Sequence, residues 1–191
     1  GRDAAAMASQ LSKTGGGAAG FDYTKLDAGG QALSANVLTW SCVKDNVTNL
    51  VWEVTTSASG LHNSNNTYTW YNPDNSSNGG AAGVQSGGAC TGSNCDTFSY
   101  VQAVNQQGWC GATDWRMPSR EELVGLVHYG RSSAPYIDTD YFSDAIGSGV
   151  WSGSPSADSS GSAWGVGFSN GNAGSRYKSN SGHVRLVRGG Q

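Results

Sequence analysis

The run Asp114-Trp115-Arg116-Met117-Pro118-Ser119-Arg120-Glu121-Glu122-Leu123 sets the architecture around it. It places a bulky aromatic, Trp115, just ahead of a helix start. Pro118 lacks an N–H and biases its predecessor towards extended backbone, so no helix begins before it. Ser119 as N-cap and Glu122 three residues on form a capping box, in which each side chain satisfies a backbone N–H of the other residue. Leu123, Val124, Leu126 and Val127 then make an apolar helix face, and Gly130 ends it. Upstream, Asp96 is an N-cap for a helix carrying Phe98, Val101 and Val104 on one face. Gly108 suits the left-handed residue after its C-terminus.

Further upstream, residues 49–54 read Asn-Leu-Val-Trp-Glu-Val, a strand pattern. Residues 57–95 are dense in Asn, Ser and Gly, interrupted by Tyr68-Thr69-Trp70-Tyr71. A loop this long is expected to have a binding or covering role. Residues 1–20 read as a flexible Ala/Gly-rich tether of a chain whose leader has been removed, and residues 21–191 as one ligand-binding domain. After residue 148 the pattern alternates. Val150-Trp151-Ser152, residues 163–168 and residues 183–188 are expected as antiparallel strands. In the middle strand Trp164, Val166 and Phe168 share one face and Gly165 and Gly167 the other. Trp151, Trp164 and Leu186 are expected to form one apolar inner face, with the glycine side outward. The fold class is therefore α+β, with two helices packed on small antiparallel sheets and much loop.

Composition excludes several function classes. Gly, Ser and Asn make 70 of 191 residues, and only 13% are charged, too few for a coiled coil. Seven Trp, eight Tyr and four Phe point to an aromatic core rather than a linker. Net charge is −3, and the basic residues form no stripe beyond the spaced set Arg176, Lys178, Arg185 and Arg188, so nucleic acid is not an expected partner. No apolar run is long enough for a membrane span. Any membrane attachment is expected through a lipid anchor upstream of Gly1.

The even cysteine count suggests two disulfides and an oxidising compartment. Cys90 and Cys95 bracket a turn-forming Thr-Gly-Ser-Asn segment, which favours a small local loop and leaves Cys42 with Cys110. All three pairings remain open from sequence. A zinc site is disfavoured by the spacing and by the lack of a His near Cys110. No metal or cofactor is expected.

Catalytic residues are not expected either. His62 lies in the Asn-rich loop, His128 in the second helix and His183 at a strand start; none adjoins a Cys or a carboxylate motif. Asp138 and Asp140 read as a turn, and Glu122 as the cap partner beside Glu121. Arg185 and Arg188 fit either buried partners of acidic residues or surface charges.

Three strings carry a family resemblance: residues 42–54, beginning Cys-Val-Lys-Asp-Asn; residues 110–123, containing Asp-Trp-Arg-Met-Pro-Ser; and Ile137-Asp138-Thr139-Asp140-Tyr141-Phe142. Val150-Trp151-Ser152, Ala163-Trp164 and Val184-Arg185-Leu186-Val187-Arg188 complete the pattern. Over residues 21–191 the chain resembles the bacterial DUF1566 family, which implies a C-type-lectin-like fold. The C-terminal domain of the collagen-like adhesin of Legionella is of this type. The resemblance implies a secreted or cell-surface location, with an unidentified protein or glycan ligand. An alternative is an adhesin for glycosaminoglycan-like polysaccharide that uses Arg176 and Lys178. The formylglycine-generating enzymes look like fold relatives, but they need a reactive cysteine pair near the C-terminus, and no cysteine follows Cys110. The calcium-site motifs of sugar-binding C-type lectins are also missing.

Such proteins serve as targets of diversity-generating retroelements, which replace a C-terminal stretch by adenine-directed mutagenesis. AAC codons varied at adenine never encode Gln, Glu, Lys, Met or Trp. Between Gly153 and Gly182 only Trp164 and Lys178 fall outside that set, and both read as framework. The ligand-binding candidates are Gly153, Ser156, Asp158, Ser159, Gly161 and Ser162, then Gly165, Gly167, Ser169, Gly174 and Ser175. Arg176, Tyr177, Ser179, Ser181 and Gly182 complete the set. Arg176 and Tyr177 belong to types enriched at binding hot spots and are expected to matter most.

Overall fold

A computed structural model describes residues 12–189. Strands β1 (Tyr23–Leu26), β2 (Cys42–Asp45), β3 (Val51–Glu53) and β9 (Val187–Arg188) form one antiparallel sheet in the order β1-β2-β3-β9. Strands β5 (Gly149–Pro155), β6 (Ser162–Gly167) and β7 (Asn172–Tyr177) form a second, and β4 (Tyr68–Thr69) with β8 (Ser181–Gly182) a third. Two helices, α1 (Thr97–Gln107) and α2 (Arg120–Gly125), pack among them. The fold is α+β and rich in loop, as the sequence predicts.

The run from Asp114 works as a joint. Asn105 of α1 accepts the Trp115 N–H at 2.8 Å and donates to the Trp115 carbonyl at 2.8 Å, which fixes both backbone groups beside a ring only 2% exposed. Arg116 and Val187 exchange main-chain hydrogen bonds, docking the chain terminus. The Ser119 hydroxyl accepts the Glu122 N–H at 3.1 Å, and the Glu122 carboxylate accepts the Ser119 N–H at 2.7 Å. Arg116 adds a two-pronged ion pair to Glu122, at 2.7 and 2.8 Å.

Several local expectations are corrected by packing. Helix α1 has the foreseen Asp96 cap and left-handed Gly108, but its buried face is Thr97, Tyr100 and Val104. Phe98 and Val101 turn towards a surface groove beside Tyr71 and Met117. Helix α2 ends at Gly125, short of Gly130. The Leu126 and Val127 N–H groups reach back only three residues, tightening the last turn, and the His128 N–H leaves the helix for Tyr136. Residues 183–186 are not strand beyond the isolated His183 bridge. The Leu186 N–H instead donates to the Glu53 carboxylate at 3.0 Å.

Register also reverses one tryptophan. Trp151 pairs across with Gly165, so it lies on the glycine face, opposite Trp164. Both faces of the β5–β6 pair carry packed side chains, while β7 is largely exposed. Val150, Val166 and Phe168 meet Leu123, Leu126 and Val127, while Trp151 and Ala163 meet Trp70. Of the residues 1–20 read as a tether, 1–11 lie outside the described residues. Residues 14–18 dock on the domain: the Thr14 and Gly15 N–H groups donate to Asp22, and the Ala18 N–H to Asp138.

The disulfides are Cys42–Cys110 and Cys90–Cys95. The first closes a sequence separation of 68 residues and the second only 5. In the chain-entropy account, losing the long loop costs ~4 kcal/mol and losing the short one ~2 kcal/mol. Chemical denaturation of the two Cys→Ala pair variants should therefore rank Cys42/Cys110 as about twice as damaging.

At the centre sits Glu53, fully buried. Its carboxylate accepts from the Tyr100 hydroxyl, from His62 Nδ1 at 2.6 Å and from the Leu186 N–H. Its carbonyl accepts from Arg185 Nη1 at 2.7 Å. His62 stacks on Trp109, and its Nε2 faces Gln107 Oε1 at 2.9 Å. Both ring nitrogens thus face acceptors, the pattern of an imidazolium. Burial pushes the Glu53 pKa up, but His62, Tyr100 and Leu186 outweigh it and hold it below the usual 4.5. Burial pushes His62 down, but Glu53 and Gln107 outweigh it and hold it above 6.5. The His62 contribution is complete below 6.5 and is lost as pH rises through its higher folded value. The Glu53 contribution is complete above 4.5 and is lost as pH falls through its lower folded value. Stability set by this pair should therefore plateau between those ordinary values and fall on either side. Glu53→Gln should cost about 3–5 kcal/mol and flatten the alkaline limb in thermal melts taken across pH.

Candidate functional site

The nominated residues divide by burial. Asp158, Ser159, Gly161, Ser169, Gly174, Ser175, Tyr177, Ser179 and Ser181 are exposed, and Gly153, Gly167 and Arg176 are half-buried. Ser156, Ser162, Gly165 and Gly182 are buried, which corrects their expected outward placement. Ser156 and Ser162 share a main-chain hydrogen bond at the base of the β5–β6 connection. A methyl group on Gly165 would meet the Val150 carbonyl, and one on Gly182 would meet Arg176. These two glycines permit close packing, and Gly165 also lies at the base of a depression.

Around Arg176 the sheet carries two depressions. One, ≈ 290 Å³, lies over the glycine face between Gly149, Gly167, Asn170, Asn172 and Arg176. The other, ≈ 440 Å³, is polar and is walled by Ser159, Ser162, Ser175, Tyr177 and Asn180, again with Arg176. The Arg176 guanidinium lies 4.5 Å over the Trp151 ring, against Gly149 and Gly182. Its Nε and Nη2 are buried without a hydrogen-bond partner in the structure. Burial alone pulls its pKa below the usual value, since no carboxylate offsets the loss of water. Tyr177 is 68% exposed at the end of β7. Arg176 and Tyr177 are consecutive in β7 and so leave it on opposite faces, but both border the second depression.

Lys178 is corrected as a ligand contact. Its ammonium is buried, donates to the carbonyls of Asn78 at 2.7 Å, Ala81 at 2.6 Å and Ser160 at 2.6 Å, and lies 4.3 Å over Trp70. All three donors are used. The side chain pins the residue 74–83 segment to the β6–β7 end of the molecule, so its reading as framework holds and its reading as a polysaccharide contact does not.

Sequence reasoning missed a depression of ≈ 640 Å³ beside Lys25, Val37, Trp40, Asp140 and Tyr141. Lys25 is buried, donates to the Val37 carbonyl at 3.0 Å and lies 3.6 Å over Trp40. No sequence motif announces this, because it forms only when the residue 35–41 loop folds back on β1. Asp138 acts as a turn organiser, accepting from the Ala18 and Asp140 N–H groups. Of the two alternatives open for these arginines, Arg185 is buried and donates to the Glu53 backbone carbonyl, whereas Arg188 makes a surface ion pair with Asp114 at 2.6 Å. Among the described residues no group of three or more His, Cys, Asp or Glu side chains could hold a metal ion. No helix there is long and apolar enough to cross a membrane.

Lys178→Met should leave the Asn78, Ala81 and Ser160 carbonyls without this donor. Hydrogen bonds to a charged group contribute ~1.5–3 kcal/mol each, and part of this is recovered as water enters. We expect a loss of about 3 kcal/mol, with faster amide exchange at residues 78–83 than in α1; unchanged exchange there would refute the pinning role.

No curated protein and no solved structure matches the chain. The sequence does match, over residues 41–188, the family described as the Lcl C-terminal domain. That span runs from β2 through the joint at Trp115 to β9 and includes both disulfides and the sheet around Arg176, so the chain belongs to the Lcl C-terminal domain family.

Proposed function

We propose that the chain is a non-enzymatic, adhesin-like domain displayed at a bacterial cell surface. It binds a protein or glycan ligand through the exposed part of residues 153–182. The single observation that carries this is the pair of depressions sharing Arg176, a guanidinium with buried, unpartnered nitrogens beside an exposed tyrosine. Arg and Tyr in a partly desolvated setting are the types that dominate binding energy. The family membership and the two disulfides support an exported, oxidising location.

The same reading takes the domain as a DUF1566-type, C-type-lectin-like fold and as a target of a diversity-generating retroelement. The frame of Trp151, Val166 and Phe168 is buried, while Asp158, Ser159, Ser175 and Ser179 are exposed. Exposed replacements usually change stability within about 0.5 kcal/mol, so such a surface tolerates diversification. The absence of an enzymatic role is supported by the engagement of the reactive types. All four cysteines are in disulfides, His62 is bound by Glu53 and Gln107, and His183 Nδ1 faces the Asn66 carbonyl.

A second reading, an adhesin for glycosaminoglycan-like polysaccharide, rests on Arg176, which has no ion-pair partner among the described residues. Replacing Asp158, Arg176 and Tyr177 together by Ser should abolish binding in a screen against surface proteins and glycans, with the far-UV spectrum unchanged. Undiminished binding would rule out this face. Binding that weakens steeply with salt would select the polysaccharide reading over a protein ligand.

A further inference from the structure

Strand β7 is the outer strand of its sheet, and among the described residues nothing pairs with its other side. Natural sheets protect such edges with proline, lysine, a bulge or a covering segment, because exposed N–H and C=O groups template pairing with another chain. Strand β7 reads Asn172-Ala173-Gly174-Ser175-Arg176-Tyr177, with neither proline nor lysine. Its register with β6 runs without a shift from Gly167↔Asn172 to Ser162↔Tyr177, whereas the β5–β6 pair does contain a shift. All of its residues but Arg176 are exposed.

The ladder also tells which groups face outward. The Lys178 N–H donates to the Gly161 carbonyl at 2.9 Å. Inward and outward residues alternate along an antiparallel strand, so Asn172, Gly174 and Arg176 bond to β6. Ala173, Ser175 and Tyr177 turn their N–H and C=O groups to the edge. Only the Tyr177 carbonyl has another partner there, the Asn180 N–H at 2.9 Å.

We propose that β7 pairs antiparallel with β7 of a second copy of this chain, about a two-fold axis through Ser175. Ser175 then faces Ser175 of the second copy and Ala173 faces Tyr177 of the second copy, each pair exchanging main-chain hydrogen bonds. The strand is self-complementary in this register. The small Ala173 leaves room for a Tyr177 ring that is otherwise 68% exposed. The only charge in the strand, Arg176, falls opposite Gly174. Its side chain lies over Trp151 and against Gly149 on β5, beyond β6, so the axis brings no like charges together. The same geometry argues against an acidic foreign strand, whose carboxylates at the edge would find no cation. The contact is isologous and closes as a dimer. The two sheets become one, β5-β6-β7-β7-β6-β5, and two ligand faces stand side by side, which raises avidity for a repeated ligand. This goes beyond the proposed binding role and does not depend on it.

The test uses the whole chain in sedimentation equilibrium over a concentration series. We expect a reversible dimer, and a monomer for Ser175→Pro. Proline at position 175 deletes an outward N–H and leaves the ladder to β6 intact; an unchanged far-UV spectrum checks this. Ser175→Cys should form a disulfide-linked dimer on air oxidation, because facing Cα atoms in such a pair are about 5.5 Å apart. Ala173→Cys should not, because its copies lie about 13 Å apart. The cysteine contrast decides even if the proline variant does not fold. A wild type that stays monomeric at all concentrations, a dimer unchanged by Ser175→Pro, or equal cross-linking by the two cysteine variants would overturn the proposal.

Discussion

Buried Glu53 ties together four parts of the chain that are far apart in sequence. Its carboxylate joins β3 to the His62 loop, to α1 through Tyr100 and to the Leu186 N–H, while its backbone carbonyl holds Arg185. A lone charge here would be costly; with an imidazolium, a phenol and an amide around it, the cost is offset and geometry is specified. Because Leu186 is held by a side chain, the last strand needs only the two residues Val187 and Arg188 to complete the first sheet. Everything built on the far sheet, including β7 and the Arg176 depressions, inherits its position from this joint and from the Trp115 run.

A domain so rich in Gly, Ser and Asn holds its shape by using polar contacts as fasteners. Lys178 clamps two carbonyls of the 74–83 segment to one of the β5–β6 connection, Asn105 clamps the Trp115 backbone, and the long disulfide joins β2 to the turn after α1. Two indoles serve as bridges: Trp70 donates to the Ser152 carbonyl and Trp151 to the Tyr68 carbonyl. The apolar core is divided into clusters rather than continuous, and the fasteners cross between them. This arrangement leaves the exposed turns between β5 and β8 with few structural duties, which suits a surface whose residues can change.

Local signals in the sequence translated well where the chemistry is local. Asp96, Ser119 and Glu122 cap the helices they were read to cap, since a capping side chain reaches only two or three residues. The Cys90–Cys95 pair follows from its turn. The α1 face was misread because Phe98, Val101 and Val104 have helical spacing but Tyr100 is larger and its hydroxyl has a partner in Glu53. Composition cannot see a partner on another strand. For the same reason Lys178 looked available for a ligand, and the Lys25–Trp40 depression gave no warning.

The sequence by itself determined the α+β class, the helix caps and the burial of Trp115 and Trp151, whereas Trp164 is only half-buried, under Arg120. These depend on periodicity, capping and bulk, all of which act over a few residues. Tertiary structure alone decided which face Trp151 joins, which of the nominated residues are exposed, and that β7 is an edge. It also paired His62 with Glu53. These depend on cross-strand register and on desolvation, and each is a property of two segments meeting.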